Sequence, residues 1–400
     1  MDRQGLHELA IAARKSSPRA AGKRKHNGNG ALISASLFAV PICDSQATPT
    51  TLETFWGFGH TAGRAMGHPR SDLTIGKKSE REFCDEHGRQ KAVENTADTR
   101  PRSKQMAKMN VGAVQLEYDT FGNKDDEAIL LIMGLGGQMI LWEPDFCNEL
   151  ASRGYHVIRF DNRDVGLSTW FDEAGVPDVA KVFLDGMAGL PVESAYSLDD
   201  MAEDCVGLLR GLGIESAHIA GGSMGGMVAQ TVAINHPEMA RSLTSIMSTT
   251  GRPGLPGPTP DAAAILATPP PDTREQFIEE AVRRDGVIGS PDFPASPEFL
   301  AERAARGYDR AFHPTGTARQ LAAIAAHGDR TERLQKLTLP TVVIHGDKDP
   351  LIPIASGEAT HAAIADSEFL TIEGMGHDLP RPCWPQIIDG ICRAAAQAAG

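Results

Sequence analysis

The sequence lacks paired cysteines and closely spaced histidines. Its six cysteines are scattered without a C-x-x-C pair, which is typical of free thiols in a reducing compartment rather than of a disulfide framework or a zinc finger. None of its 13 histidines stands four residues from another, so the H-x-x-x-H pair common in catalytic zinc sites is absent. We therefore expect no metal site and a cytoplasmic location.

The sequence also lacks an apolar run long enough to span a membrane. The nearest candidate is residues 31–42, an apolar run that follows Lys23-Arg24-Lys25 and faintly resembles a signal peptide. Its basic part lies too far from Met1 for a standard secretory signal. Secretion is thus the alternative to the cytoplasmic prediction.

Charge divides the chain into two parts. Residues 1–105 carry 17 Lys and Arg against 11 Asp and Glu, and residues 106–400 carry 22 against 41. The acidic second part argues against a nucleic-acid or anionic-membrane surface. The first part lacks sustained periodicity, so we expect a disordered leader or a start codon placed too early.

One glycine-rich stretch lies between a β-like run and a helix-compatible run. Residues 217–220 favour a strand, residues 227–234 favour a helix, and Gly221-Gly222-Ser223-Met224-Gly225 lies between them. Such a turn strains the serine backbone, requires small flanking residues, and lifts the serine hydroxyl clear of the sheet. The pattern predicts a nucleophile elbow at Ser223. A glycine-rich turn with an incidental serine is the alternative.

Strand and helix patterns alternate through the rest of residues 106–400. The expected strands are residues 114–118, 128–133, 156–160, 243–248, 341–345 and 368–372. This alternation predicts an α/β fold with a doubly wound, mainly parallel sheet. Helical patterns at 273–284, 297–308 and 317–327 interrupt it, so we predict a helical cap at 251–339 inserted into a body of 106–250 and 340–400. The cap either lines an apolar pocket or only packs on the body.

A serine nucleophile needs a positioned base and an acid that orients this base. His377 follows the last predicted strand in a loop, whereas the histidines at 218, 236, 313, 327 and 361 fall on predicted strands, helices or the cap. Asp347 and Asp349 both follow the strand at 341–345. Spacing from the strand end favours Asp349, and the order Ser, Asp, His is that of the sheet enzymes of this type.

The loop after the first buried strand is predicted to supply a backbone amide. This loop is Gly134-Leu135-Gly136-Gly137, and the amides of Leu135 and Met224 are the candidate oxyanion donors. A phosphate-binding loop is the alternative, but the spacing is not G-x-G-x-x-G.

Together these motifs resemble the α/β-hydrolase superfamily. The resemblance rests on residues 133–136, 161–168 and 221–226 with Asp349 and Gly376-His377, and it covers nearly all of residues 111–398. Within the superfamily the chain is most similar to the capped carboxylesterases that include the aclacinomycin methylesterases, with haloperoxidase-like perhydrolases nearby. Met133 stands where a histidine is often found. The resemblance implies Ser223 as nucleophile, His377 as base, Asp349 as its orienting acid, and no organic or metal cofactor.

The sequence therefore predicts hydrolysis of small or medium apolar carboxylic esters through an acyl-serine. Perhydrolysis and carbon–carbon bond cleavage on the same triad are alternatives, as is a ligand-binding protein that keeps the fold without turnover. A small-molecule ester is the expected partner, and the oligomeric state is left open.

Overall fold

A computed structural model describes residues 106–398, so the prediction for residues 1–105 lies outside the described part of the chain. Eight strands form one sheet in the order β1-β2-β4-β3-β5-β6-β7-β8. The strands are β1 (Ala107–Val111), β2 (Val114–Phe121), β3 (Glu127–Ile132), β4 (Tyr155–Phe160), β5 (Ala217–Gly222), β6 (Ala240–Ile246), β7 (Thr341–Gly346) and β8 (Glu368–Ile372). The β1–β2 and β2–β4 pairs are antiparallel, and the other five neighbouring pairs are parallel. The predicted α/β class with a mainly parallel sheet is confirmed.

Helices follow most of the strands and cover the sheet. Within residues 106–398 they are α1 (Pro144–Ser152), α2 (Val179–Met187), α3 (Leu198–Gly211), α4 (Met224–Asn235), α5 (Pro260–Ala267), α6 (Arg274–Ile288), α7 (Pro297–Arg310), α8 (Pro314–His327), α9 (Thr331–Leu334), α10 (Ala355–Ala363) and α11 (Trp384–Gln397). None of these helices is both long and apolar enough to cross a membrane.

The hydrophobic core lies on both faces of the sheet. Because side chains alternate along a strand, Leu130 of β3 joins the apolar cluster formed with α3 and α4, and Leu131 joins the cluster formed with α1 and α11. Both leucines are fully buried. A strand covered on both faces reads as a continuous apolar run, as β3 does.

The structure corrects several predicted boundaries. An additional strand, β1, precedes the one predicted at 114–118, and β6 lies at Ala240–Ile246 rather than 243–248. Helix α9 was not predicted, and neither were α2 and α5. Both begin with ordinary caps, since Asp178 accepts from the Lys181 amide and Thr259 accepts from the Ala262 amide, but each is short and lies in a Pro- or Gly-containing stretch.

Five helices, α5 to α9, lie between β6 and β7. Helices α6 and α7 pack against each other, with the Phe277 ring 5.5 Å from that of Tyr308. Helix α8 packs against α2 and α3. The exact bounds of the cap, 251–339, and an apolar pocket beneath it stay predictions.

Candidate active site

Ser223 is the single residue between β5 and α4. Its backbone has φ 55° and ψ −121°, in the region that L-residues avoid. Two bonds hold it there: its amide donates to Ile246 O (2.9 Å), and Ser248 Oγ donates to its carbonyl (2.8 Å). The predicted strained turn between strand and helix is present, and it is tighter than expected.

Close backbone contacts explain the glycines at this turn. A Cβ on Gly221 would lie 2.0 Å from the carbonyl oxygen of Gly225, and a Cβ on Gly225 would lie 2.1 Å from that of Ile132. Neither position therefore tolerates a side chain. At Gly222 a Cβ would meet the flexible end of Met247 at 3.3 Å and the Trp142 ring at 4.0 Å, so the expected need for a glycine is weaker there.

Ser223, His377 and Asp349 form a continuous hydrogen-bonded series. His377 Nε2 lies 2.9 Å from Ser223 Oγ, and His377 Nδ1 lies 2.7 Å from Asp349 Oδ2. Asp347 lies apart from this series, because its Oδ1 accepts from the Gly374 amide at 2.6 Å and its Oδ2 pairs with Lys348 at 3.0 Å. The structure thus brings together the three residues selected from the sequence.

Asp349 is held as a buried carboxylate. Its Oδ1 accepts from the amides of Leu351 (2.9 Å) and Ile352 (2.8 Å). Burial alone would raise its pKa, but the charge of His377 and hydrogen bonds from His345 and His377 lower the pKa to about 2. Asp349 is therefore ionised at neutral pH and can stabilise a protonated His377.

The loop that carries His377 is attached to the end of α6. The amide of His377 donates to Ile288 O (2.7 Å), and the amide of Gly376 donates to Ser290 Oγ (2.9 Å). Ser290 in turn donates to the carboxylate of Asp378. These contacts fix the backbone of the loop that carries the imidazole.

The loop after β3 lies directly against the nucleophile. A Cβ on Gly134 would be 3.1 Å from the Cβ of Ser223. The loop is a tight turn in which the Gly137 amide donates to Gly134 O (3.1 Å) and Gly136 has φ 65°. Such a φ at the third turn position requires glycine.

The amides of Leu135 and Met224 are the two predicted oxyanion donors. Met224 is the first residue of α4, so its amide has no intrahelical acceptor. In the described part of the chain, neither amide donates a hydrogen bond to another protein atom. Both are thus free to bind a ligand oxygen.

Sequence reasoning missed the side chains that hold these loops. Gln320 accepts from the Gly136 amide, and Asn162 donates to Met133 O. The contact of Gln320 joins residues 184 positions apart, so no local spacing could have revealed it. Asn162 lies within a motif of the family resemblance, which was its only signal.

A second Ser-His-carboxylate group lies at the opposite edge of the sheet. His218 Nδ1 is 3.0 Å from Ser242 Oγ, and its Nε2 is 3.4 Å from Glu127 Oε2. Ser242 is buried within β6, and its backbone φ is not positive as that of Ser223 is. His218 is thus a packed histidine, as its position on a predicted strand suggested.

No group of three or more His, Cys, Asp or Glu side chains within residues 106–398 is arranged to hold a metal ion.

Comparison with known proteins shows the family to which this chain belongs. Residues 127–380 match the α/β-hydrolase fold family, and the chain belongs to this family. It is similar to a solved hydrolase from Pseudomonas aeruginosa PA01, with 22% identity, a TM-score of 0.53, and coverage of 74% of this chain and 98% of that one. At this identity the likeness shows the fold.

Two curated relatives are methylesterases. The chain is 26% identical to rhodomycin D methylesterase DauP of Streptomyces sp. (strain C5) over 300 residues. This match covers 70% of this chain and 94% of the relative. The chain is 24% identical over the same length to rhodomycin D methylesterase DnrP of Streptomyces peucetius, with the same coverage. The predicted family and enzyme class, a hydrolase of the esterase kind, are confirmed.

Proposed function

We propose that the protein hydrolyses carboxylic esters through an acyl-enzyme on Ser223. The observation that carries this proposal is the series Ser223 Oγ, His377 and Asp349, joined at 2.9 and 2.7 Å. The two methylesterase relatives support an ester as substrate. We assign small or medium apolar esters as the substrate class.

Acylation begins at the hydroxyl of Ser223. Its oxygen attacks the ester carbonyl carbon while the proton passes to His377 Nε2. The carbonyl oxygen becomes an oxyanion that accepts from the amides of Leu135 and Met224. The carbon–oxygen bond to the alcohol then breaks, and His377 returns the proton to the leaving alcohol.

Deacylation repeats these steps with water. His377 takes a proton from the water molecule, whose oxygen attacks the acyl carbon. The second oxyanion uses the same two amides, and its collapse releases the acid and returns the proton to Ser223. Asp349 keeps the Nδ1 proton on its own side of the ring, so that Nε2 faces the serine in both half-reactions.

The test compares two serine variants, Ser223→Ala and Ser242→Ala. With p-nitrophenyl esters of increasing acyl length, the first should lose turnover by about 10⁶-fold, by analogy with the loss of a triad serine in other hydrolases. It should also show no burst of nitrophenol and no acyl adduct by intact mass. Ser242→Ala removes a histidine-bonded serine away from the elbow and should keep both signals.

Two results would contradict the proposal. One is ester turnover near the parent rate by the Ser223→Ala protein, after host esterase has been removed from the preparation. The other is a parent protein that neither turns over any ester nor reacts with an organophosphonate, which would indicate a ligand-binding protein on this fold.

A further inference from the structure

Gln320 is a fully buried side chain that joins α8 to two loops at the candidate active site. Its Oε1 accepts from the Gly136 amide at 2.8 Å, and its Nε2 donates to Arg163 O at 2.8 Å. Its exposed fraction is 0%. The glutamine therefore fixes the peptide group next to Leu135 from the side of the inserted helices.

Helix α8 also approaches this loop through Thr317, one turn before Gln320. A Cβ on Gly136 would lie 2.7 Å from Thr317 Oγ1. The glycine lets the turn lie close to the helix, and the glutamine bond fixes its orientation. Gly136 donates to Gln320, whereas the preceding amide of Leu135 donates to no protein atom within the described residues.

The position of α8 is itself fixed by a buried ion pair. Arg319, which precedes Gln320, binds Asp164 with both guanidinium contacts at 2.8 Å, and both side chains are almost fully buried. Asp164 adjoins Arg163, whose carbonyl accepts from Gln320. The helix and the loop after β4 thus form a stable support for the glutamine.

A separate contact holds the far end of the loop after β3, beyond residues 134–137. Gln138 Nε2 donates to the carbonyls of Gly307 (2.7 Å) and Ala311 (2.8 Å) at the end of α7. Arg310 donates to Gln138 Oε1 (2.7 Å). With that end fixed, loss of the Gln320 bond frees mainly the peptide between Leu135 and Gly136. Rotation about the Leu135 backbone then turns the adjoining Gly134–Leu135 peptide, which carries the Leu135 N–H.

We propose that Gln320 is a positioning residue that aims the Leu135 amide at the oxyanion. This inference rests on the proposed function, in which that amide stabilises the intermediate. The inserted helices then contribute directly to the stabilisation of negative charge and are more than a cover over the sheet.

The experiment compares Gln320→Met with Gln230→Met. Gln230 is an equally buried glutamine that also makes two side-chain hydrogen bonds, to Ser245 and from Arg330, away from the loop. Gln320→Met should lower kcat by about 10- to 100-fold, somewhat less than the loss of a whole oxyanion donor, with KM within about threefold. Gln230→Met should lower the Tm by a similar amount and leave kcat within about twofold of the parent.

A second variant, Gln320→Glu, gives a signature that a structural role would lack. A protonated carboxyl at this position can accept from Gly136 and donate to Arg163 O, whereas the ionised form places a carboxylate oxygen against that carbonyl. The kcat ratio of the Glu variant to the Met variant should therefore rise as the pH falls. The Met variant lacks the added carboxyl, so the ratio reports the effect of its ionisation.

Equal losses of kcat in the two methionine variants, or a Glu-to-Met ratio that is independent of pH, would overturn the role of Gln320. If Gln320→Met does not fold, the pH dependence of the Glu variant relative to the parent decides the question. Failure of the proposed function is distinct, because Ser223→Ala would then keep its turnover.

Discussion

At the residue scale, two aspartates that stand two positions apart have different partners. Asp349 Oδ2 binds His377 Nδ1 at 2.7 Å, while Asp347 holds the Gly374 amide and Lys348. Asp349→Asn presents an amide that favours the wrong imidazole tautomer, so we expect a loss of kcat near 10⁴-fold, by analogy with the same change in a serine protease. Asp347→Asn should lower kcat by about tenfold or less. Steady-state kinetics on one ester would show this ranking, and the reverse ranking would move the orienting role to Asp347.

The carboxyl of Asp378, next to His377, is also a site of pH-dependent stability. Burial raises its pKa from 3.8 to about 6, and the charge of Asp285 adds to this effect. The hydrogen bond from Ser290 and the charges of Arg303 and His377 act in the opposite direction. The folded protein therefore binds a proton at Asp378 at a pH where the unfolded chain has released it.

This raised pKa predicts a stabilising substitution. Between pH 3.8 and about 6 the folded state holds more protons than the unfolded one, so stability falls as the pH rises through this window. Above this pH window the ionised Asp378 lowers the free energy of unfolding by up to about 3 kcal/mol, since one pKa unit corresponds to about 1.4 kcal/mol.

Asp378→Asn keeps an acceptor for Ser290 and cannot ionise. Its Tm should exceed the parent's at pH 8, and the difference should shrink by pH 4.5. Thermal melts at both values test this expectation, with the exposed Asp272→Asn as a control whose Tm difference stays small. A Tm below the parent's at pH 8 would show that the charge is stabilising.

At the scale of elements, local signals were sufficient for several strands and for the elbow. The predicted strand at 368–372 matches β8 in both bounds, and Ser197 and Asp200, three residues apart, form a reciprocal cap at the start of α3. The elbow was recognised because its glycines and serine lie within one continuous strand, turn and helix, although the contact that requires Gly225 is with Ile132 of β3. The triad residues were recognised because parallel strands bring their carboxyl ends to one edge of the sheet.

A helix with a misleading local signal and side chains with distant partners were not recognised. The cap signal of α5, Thr259 followed by Pro260, was present but lay within a proline-rich run that favours a loop. The supports of the active-site loops, Gln320 and Ser290, contact glycines 184 and 86 residues away. Only the folded arrangement brings a buried glutamine to one loop and a serine to the other.

At the scale of the whole molecule, β1 is the first element of the described fold, and its contacts define where an active chain can begin. It pairs with β2 over five residues. It also packs tightly on α3, since a Cβ on Gly207 would lie 2.0 Å from Val111 Cγ1 and one on Gly211 would lie 2.7 Å from Met109 Sδ. A chain that begins at Met109 would therefore cut into β1 and lose part of this packing.

We predict that a chain beginning at Met106 keeps the Tm and the ester turnover of the full chain, because it retains all of β1. A matched chain beginning at Ala113 lacks β1, exposes the edge of β2 and the glycine face of α3, and should melt several degrees lower, since a loss of about 1 kcal/mol shifts Tm by a few degrees. Thermal melts and turnover on one ester, measured side by side, test both expectations. Aggregation or loss of activity in the Met106 chain would show that residues 1–105 support the fold. An unchanged Tm in the Ala113 chain would show that β1 contributes little to stability.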